Sequence, residues 1–434
     1  MTFKLKQLTA AILMTSSSVA IAVPFASFDT RSMAMGGAGV AVGSAGAAPL
    51  FNPALLSVTK AEDDFSLILP TIGVRIADPD NLLDSIDTFN NGNSIDNLQL
   101  AIDAFNLSPS TTTATAVANA IPAVSNGLAT LSGKPITAEA GLATVVAMPG
   151  KKFGSAFYAS GTVTAGGLFN YTDGAELQAL TADAQLCALA AANQATIDAC
   201  NRVSNFNTTN SLDSGIRFKG VGMGEIGFAM SREFQVYGSK MSFGITPKIV
   251  KATLFDMTIK ANDAAADPVT DDYIAEYSFA NFDLGVAKEY GNNWRTGFVI
   301  KNIIPQTLDF KRAPVLGVGA TPVPTGEQLT LKPQARIGVS HSNSWSTVAL
   351  DVDLTKNSPT GFADSTQYIA IGGELSAWGW AQIRAGYRID MVNGDRNVYS
   401  LGLGLSPFRV VHIDLAVAGN DNEVGASFQF GVDF

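Results

Sequence analysis

From residue 345 onward the chain repeats one pattern: segments of about ten residues in which apolar and polar side chains alternate, separated by turn residues. Within 346–354, Val348, Leu350, Val352 and Leu354 share one face, and Asp351 and Asp353 the other. Within 398–406, Tyr399, Leu401, Leu403 and Leu405 oppose Ser400, Gly402, Gly404 and Ser406. In the last segment Val424, Ala426, Phe428, Phe430, Val432 and Phe434 oppose Ser427, Gln429 and Asp433. Alternation of this kind describes strands with one apolar and one polar face. Strands of soluble sheets average about five to six residues, whereas a tilted bilayer crossing takes about ten. Beyond the first 22 residues no run of 18 apolar residues occurs, which excludes helical spans. The remaining way to cross a membrane is a closed barrel, in which every backbone group is paired between strands.

Residues 1–22 read as an export signal. Lys4 and Lys6 form a basic start, LTAAILM and VAIA an apolar stretch, and Ala20 and Ala22 a small-x-small cleavage site. The formal net charge is −10, and more negative by two once those lysines are gone. With no Lys/Arg run, such a chain is a poor partner for nucleic acid. The two cysteines, Cys187 and Cys200, read in an exported chain as one disulfide closing a short loop. Their spacing matches no zinc pattern, and no cofactor motif is present.

Reading backwards from the C-terminus predicts about 14 antiparallel strands. They lie near 65–77, 139–148, 153–167, 214–231, 238–259, 274–289, 294–308, 329–340, 345–354, 366–375, 380–389, 397–406, 409–418 and 424–434. Links on one side are short and those on the other long, as expected for periplasmic turns and external loops. An even strand number puts both termini on the periplasmic side. Two strands fit imperfectly. The apolar parity changes from Tyr273, Tyr277 and Phe279 to Phe282, Leu284 and Val286, which predicts a bulge near Asn281. Lys251 falls on the lipid-facing parity, so its strand is either bulged there or extends beyond the membrane. The long insertions carry helical spacings, at 79–105 around an NNGN break and at 174–200. The expected role of these stretches is to cap the barrel mouth; the alternative is surface loops.

Arg336, Asp351, Asp353, Glu374, Arg384 and Arg388 share inward parity, as do His412 and Asp414. They read first as a polar network filling the lumen, with a selective polar path as the alternative. A hydrolase would need a nucleophile and an oriented base. Only His341 and His412 could be that base, and His412, two residues from Asp414, reads as a structural lumen pair. The chain is therefore not expected to be an enzyme.

Residues 23–57 are neither signal nor strand. Their glycine-rich stretch lacks the Gly-Lys-Ser/Thr of a phosphate loop. The motif RSMAMGGAGVAV at 31–42, followed by Asn52-Pro53-Ala54, resembles the N-terminus of the long-chain fatty acid transporter (FadL-type) superfamily. Within that superfamily the chain is most similar to the barrels labelled conjugal transfer protein TraF. The resemblance implies an all-β fold, a 14-stranded antiparallel transmembrane barrel with an N-terminal lumen hatch and partly helical external loops. Its implied domains are the signal at 1–22, a hatch at 23–57 and the barrel at 58–434. Arg31, Gly36, Gly37, Gly39, Asn52, Pro53 and Ala54 would be hatch residues. It further implies passage of hydrophobic small molecules, leaving sideways at a kink in the third strand; Gly161, Gly166 and Gly167 fall there and fit either such a kink or plain barrel curvature. The alternative function is a structural barrel that binds conjugation or surface-assembly proteins. The expected location is the outer membrane of a Gram-negative bacterium, with membrane lipids and the insertion machinery as partners. The closing strand, ending in Phe430, Val432 and Phe434, resembles the signal which that machinery reads.

Overall fold

The computed structural model describes residues 28–58, 64–189, 193–260, 274–312, 323–357, 361–362, 365–376 and 378–433. The expected signal at 1–22, Tyr273 and Phe434 lie outside the described residues.

Fourteen strands close into one antiparallel barrel. In chain order they are β1 (Ser66–Ala77), β2 (Pro135–Met148), β3 (Gly154–Asn170), β4 (Gly215–Val236), β5 (Ser239–Lys260), β6 (Ile274–Glu289) and β7 (Trp294–Lys301). Two strands, β8 (Gln306–Arg312) and β9 (Val323–Leu331), then pair only with each other. The barrel resumes with β10 (Gln334–Ser342), β11 (Ser346–Asp353), β12 (Tyr368–Leu375), β13 (Ala381–Asp390), β14 (Val398–Leu405), β15 (Val411–Gly419) and β16 (Glu423–Asp433), which pairs with β1. The alternation in sequence becomes the two faces of the wall. Leu401, Leu403, Leu415, Val417 and Val424 are exposed on the outside, while Ser400, Asp414, Ser427 and Gln429 are buried inside.

All four tryptophans, Trp294, Trp345, Trp378 and Trp380, are exposed at the short-turn end of the barrel. Tyr237, Tyr290, Phe153 and Phe408 join them there. Amphipathic rings at one level of the wall form the interfacial belt expected of a membrane barrel.

Where the spacing predicts one strand over 294–308 and another over 329–340, the chain leaves the wall. Asn302, at φ 54°, ends β7's course, and Pro305 and Pro333 mark the departure and the return. The intervening β8–β9 hairpin turns into the lumen. The predicted bulge at Asn281 is absent: β5 and β6 pair in unbroken register from Ser242↔Ala287 to Phe255↔Ile274. The change in apolar parity has another cause. Tyr277 and Phe279 point inward, onto the apolar hairpin, while Phe282, Leu284 and Val286 point outward to the lipid side. Lys251 points outward and pairs with Glu276 at 2.8 Å. It lies past the ten or so residues of β5 that a tilted crossing needs, so the strand extends beyond the membrane. Irregularities in the barrel ladders fall at prolines, which cannot donate to a ladder. β1 shifts against both neighbours between Ile68 and Thr71, around Pro70. The β4–β5 ladder keeps its register but lacks the pairings between Gly227↔Lys248 and Met230↔Ile245, where Pro247 sits.

The two longest loops fold into a helical cap of α-helices Leu82–Asn91, Ser94–Leu107, Thr111–Leu131, Gly174–Cys187 and Gln194–Asn205. The NNGN break is the joint between the first two, with Asn93 at φ 48°. The third helix was not foreseen, because its Thr-rich start and Pro122 lower helix propensity. Packing forms it nonetheless. Ala114, Val117, Ile121, Val124 and Leu128 recur at helical spacing and are all buried, and Ser110 closes a capping box with Thr113. Their cluster includes Leu98, Ile102, Leu180 and Val203 and reaches Ile136, Phe169 and Ile216 at the tops of β2, β3 and β4. Cys187 and Cys200 are joined as a disulfide across the last two long helices, Cα–Cα 5.1 Å.

Candidate functional site: the occupied lumen

Of residues 28–58 only Ser44 is exposed. A short helix, α1 (Thr30–Ala34), starts at Asp29, whose carboxylate accepts the Ser32 amide at 2.8 Å. Gly36 and Gly37 end it at φ 71° and 99°, angles that a side chain would strain. α1 packs on β13–β16, and the 3₁₀ turn Pro53–Ser57 packs on β3–β6, so the segment bridges opposite walls.

Close approach to the walls depends on missing side chains. A Cβ on Gly372, Gly386 or Gly402 would collide with Met35, Gly36 or Ala34. One on Gly244, Gly285 or Gly297 would collide with Ala54, Asn52 or Val40. These wall glycines were legible as strand residues but not as a seat, since the segment they receive is remote in sequence.

The inward polar residues hold this segment. Arg31 makes a bidentate pair with Glu374, at 2.7 and 3.0 Å, and donates to the Val42 carbonyl at 2.6 Å. Glu374 also accepts from Arg384 at 2.7 Å, and Arg384 pairs in turn with Asp414. Asp351 accepts the Gly39 and Val40 amides at 2.7 and 2.9 Å. Arg336 pairs with Asp353 at 2.6 Å and donates to the Gly37 carbonyl at 3.2 Å. The Asn52 amide group donates to the carbonyls of Val40 and Val286, and its carbonyl accepts the Ala54 amide. Pro53, fixed in φ, opens the following turn.

Arg388 stands apart from this group. It pairs with Glu423 at 2.6 Å, and Glu423 also meets Arg75, which meets Glu139 at 3.2 Å. A cavity of about 50 Å³ lies between these groups and Phe28, Met33 and Phe51. That is room for water rather than for a hydrocarbon.

His412 does not pair with Asp414, which Arg384 takes. Its Nδ1 meets Ser406 Oγ at 2.8 Å, and its Nε2 lies 3.1 Å from Asp433 without hydrogen-bond geometry. The trio contains triad residue types. Ser406 is nonetheless buried, at 5% exposure, out of reach of a substrate. Sequence parity also passed over a second buried cluster, in which Lys248 pairs with Glu225 at 3.0 Å and Asp283 at 3.1 Å. Both acids share inward parity with Lys248, so parity could have found them.

Toward the long-loop end the lumen becomes apolar. Val221, Met223, Val250, Ala252 and Leu254 of β4 and β5 pack on Leu308, Phe310, Leu329 and Leu331 of the hairpin. At the rim Arg217 pairs with Asp256 and, at 3.1 Å, with Glu327, which also pairs with Lys219. β3 shows no opening: it pairs with β2 and with β4 in unbroken register. The lateral kink implied for the third strand is thus not formed, because Gly161, Gly166 and Gly167 stay within both ladders.

Solved structures share this closed-barrel fold. The toluene transporter TbuX of Ralstonia pickettii superposes with a TM-score of 0.51 at 14% identity, covering 93% of this chain and 98% of that one. A mutant of the monoaromatic hydrocarbon channel TodX gives 0.50 at 12%, with the same coverage. These likenesses define the fold class. Residues 49–353 match the family described as "F plasmid transfer operon, TraF, protein", and the chain belongs to that family. No curated protein matches it.

Proposed function

We propose that this protein is an outer-membrane barrel that passes hydrophobic small molecules, with residues 28–58 as its hatch. The carrying observation is the division of the lumen. Toward the long-loop side the lining is apolar and the β8–β9 hairpin covers it, and a buried, hydrogen-bonded segment closes the other side. A lining of Val, Met, Leu and Phe side chains, uncovered when the hairpin moves, favours uncharged apolar solutes. The hatch and the hairpin must both move for a solute to pass, since the third strand is closed. The named activities of the structurally similar hydrocarbon channels agree with this reading. The aromatic belt and the turn asymmetry support an outer-membrane location, and residues 1–22 serve as the export signal. Phe430 and Val432 lie on the lipid face of the closing strand, as the insertion signal requires.

The test is uptake of labelled toluene by cells with the gene deleted or restored. Loss on deletion is expected; equal uptake would overturn the proposal. The family description favours one second reading, a barrel that supports plasmid transfer through protein partners. Transfer frequency measured in the same strains separates the two, because lost transfer with normal uptake would favour the second.

A further inference from the structure

The outer wall carries a concavity where a barrel surface is otherwise convex. It lies across β4, β5 and β6 toward the short-turn end and has a volume of about 530 Å³, within the range of small-molecule sites, about 300–1,000 Å³. The pairing register defines its surface. Met230, Ile245 and Leu284 form one outward row across the three strands, and Arg232, Phe243 and Val286 the next. Gly244 and Gly285 leave its floor to the backbone. The groove is therefore apolar except at one end.

That end is cationic. Arg232 is exposed, lies over the Phe234 ring at 5.4 Å, and has no acidic partner among the described residues. Lys288, one step further toward the turns on β6, lies over Tyr290 at 4.8 Å and likewise has no acidic partner among them. Two strand spacings across and one row along separate the two positions, about 12 Å in all. Both sit beside rings of the aromatic belt, which marks headgroup depth. The contrast is Lys251 on the same strand set, an outward lysine that does have a carboxylate, Glu276. Unpaired cations on a lipid-facing wall are costly in hydrocarbon and are supplied with partners by anionic headgroups at the interface.

We infer that this groove is a binding site for one anionic phospholipid of the periplasmic-side leaflet. The headgroup phosphate lies between Arg232 and Lys288. An acyl chain runs over Phe243 and Val286 toward Met230, Ile245 and Leu284. The inference rests on the membrane-spanning reading of the barrel but not on what the lumen passes.

The experiment is native mass spectrometry of the full chain released from nanodiscs of phosphatidylglycerol or of phosphatidylethanolamine. The wild type is expected to retain one phosphatidylglycerol and at least tenfold less phosphatidylethanolamine. The double variant Arg232→Gln, Lys288→Gln should lose that retention, Arg232→Lys should keep it, and Ile245→Trp should lose it by filling the groove. Equal retention of the two lipids, or wild-type retention in both losing variants, would overturn the site. Heat-modifiable gel migration of each variant verifies the barrel separately. A wild type that failed to form the barrel in nanodiscs would overturn the membrane reading rather than the lipid preference.

Discussion

The lumen is filled twice, by opposite means. At the short-turn end the N-terminal segment is fastened by buried ion pairs and by backbone hydrogen bonds to Asp351, Ser340 and Ser400. At the long-loop end the β8–β9 hairpin rests on an apolar surface, with Glu327, 43% exposed, as its ionic tie. Directional bonds in a buried setting hold one arrangement, because each broken bond leaves a buried charge or amide unpaired. Apolar contacts are non-directional and tolerate sliding. The difference makes the N-terminal segment the stiffer barrier and the hairpin the more easily moved one.

Glu374→Ala tests this comparison most severely. It leaves the half-buried Arg31 and the buried Arg384 without their shared carboxylate, and breaking such a pair costs up to about 3–5 kcal/mol. The N-terminal segment should loosen and Arg31 should become cleavable by trypsin while the barrel stays heat-modifiable. Continued protection of Arg31 would mean the glycine seat alone holds the segment. Leu308→Ala should cost about 3 kcal/mol, expressed in the hairpin. Hydrogen exchange in 306–312 should accelerate while 30–58 is unchanged; coupled exchange in both regions would erase the distinction.

Gly386→Ala comes next. Its Cβ meets the backbone of Gly36, which cannot yield as a side-chain tip can, and overpacking of this kind costs about 1–3 kcal/mol. A lowered thermal midpoint with faster trypsin cleavage at Arg31 is expected, and wild-type behaviour would show that the seat is not tight. Glu327→Gln should have the smallest effect, below about 1 kcal/mol, because the carboxylate is partly solvated. Hydrogen bonds from Lys219, and then Arg217, hold the Glu327 carboxyl below the usual carboxylate range. Its stabilisation is therefore complete above about pH 4 and is lost as the pH falls further. Acidification should raise hairpin exchange in the wild type and not in the variant; an equal response in both would remove Glu327 as the tie.

Sequence patterning determined the wall. A period of two, repeated in segments of the right length, places residues such as Leu403 and Asp414 on opposite faces whatever lies around them, because pleat geometry is local. It also placed Arg336, Asp351, Glu374 and Arg384 inside. The partners of those charges were decided only in the tertiary structure. Arg31 meets Glu374 across 343 positions of chain, and no local rule connects them. The same holds for the glycines that seat the N-terminal segment, for His412 turning to Ser406 and Asp433, and for the 294–308 segment. There the strand-like alternation was real, but Asn302 and Pro305 released the chain from the wall and the apolar lumen captured it. Local periodicity says which face of a strand is apolar; only closure of the barrel decides whether that face meets lipid or another part of the same chain.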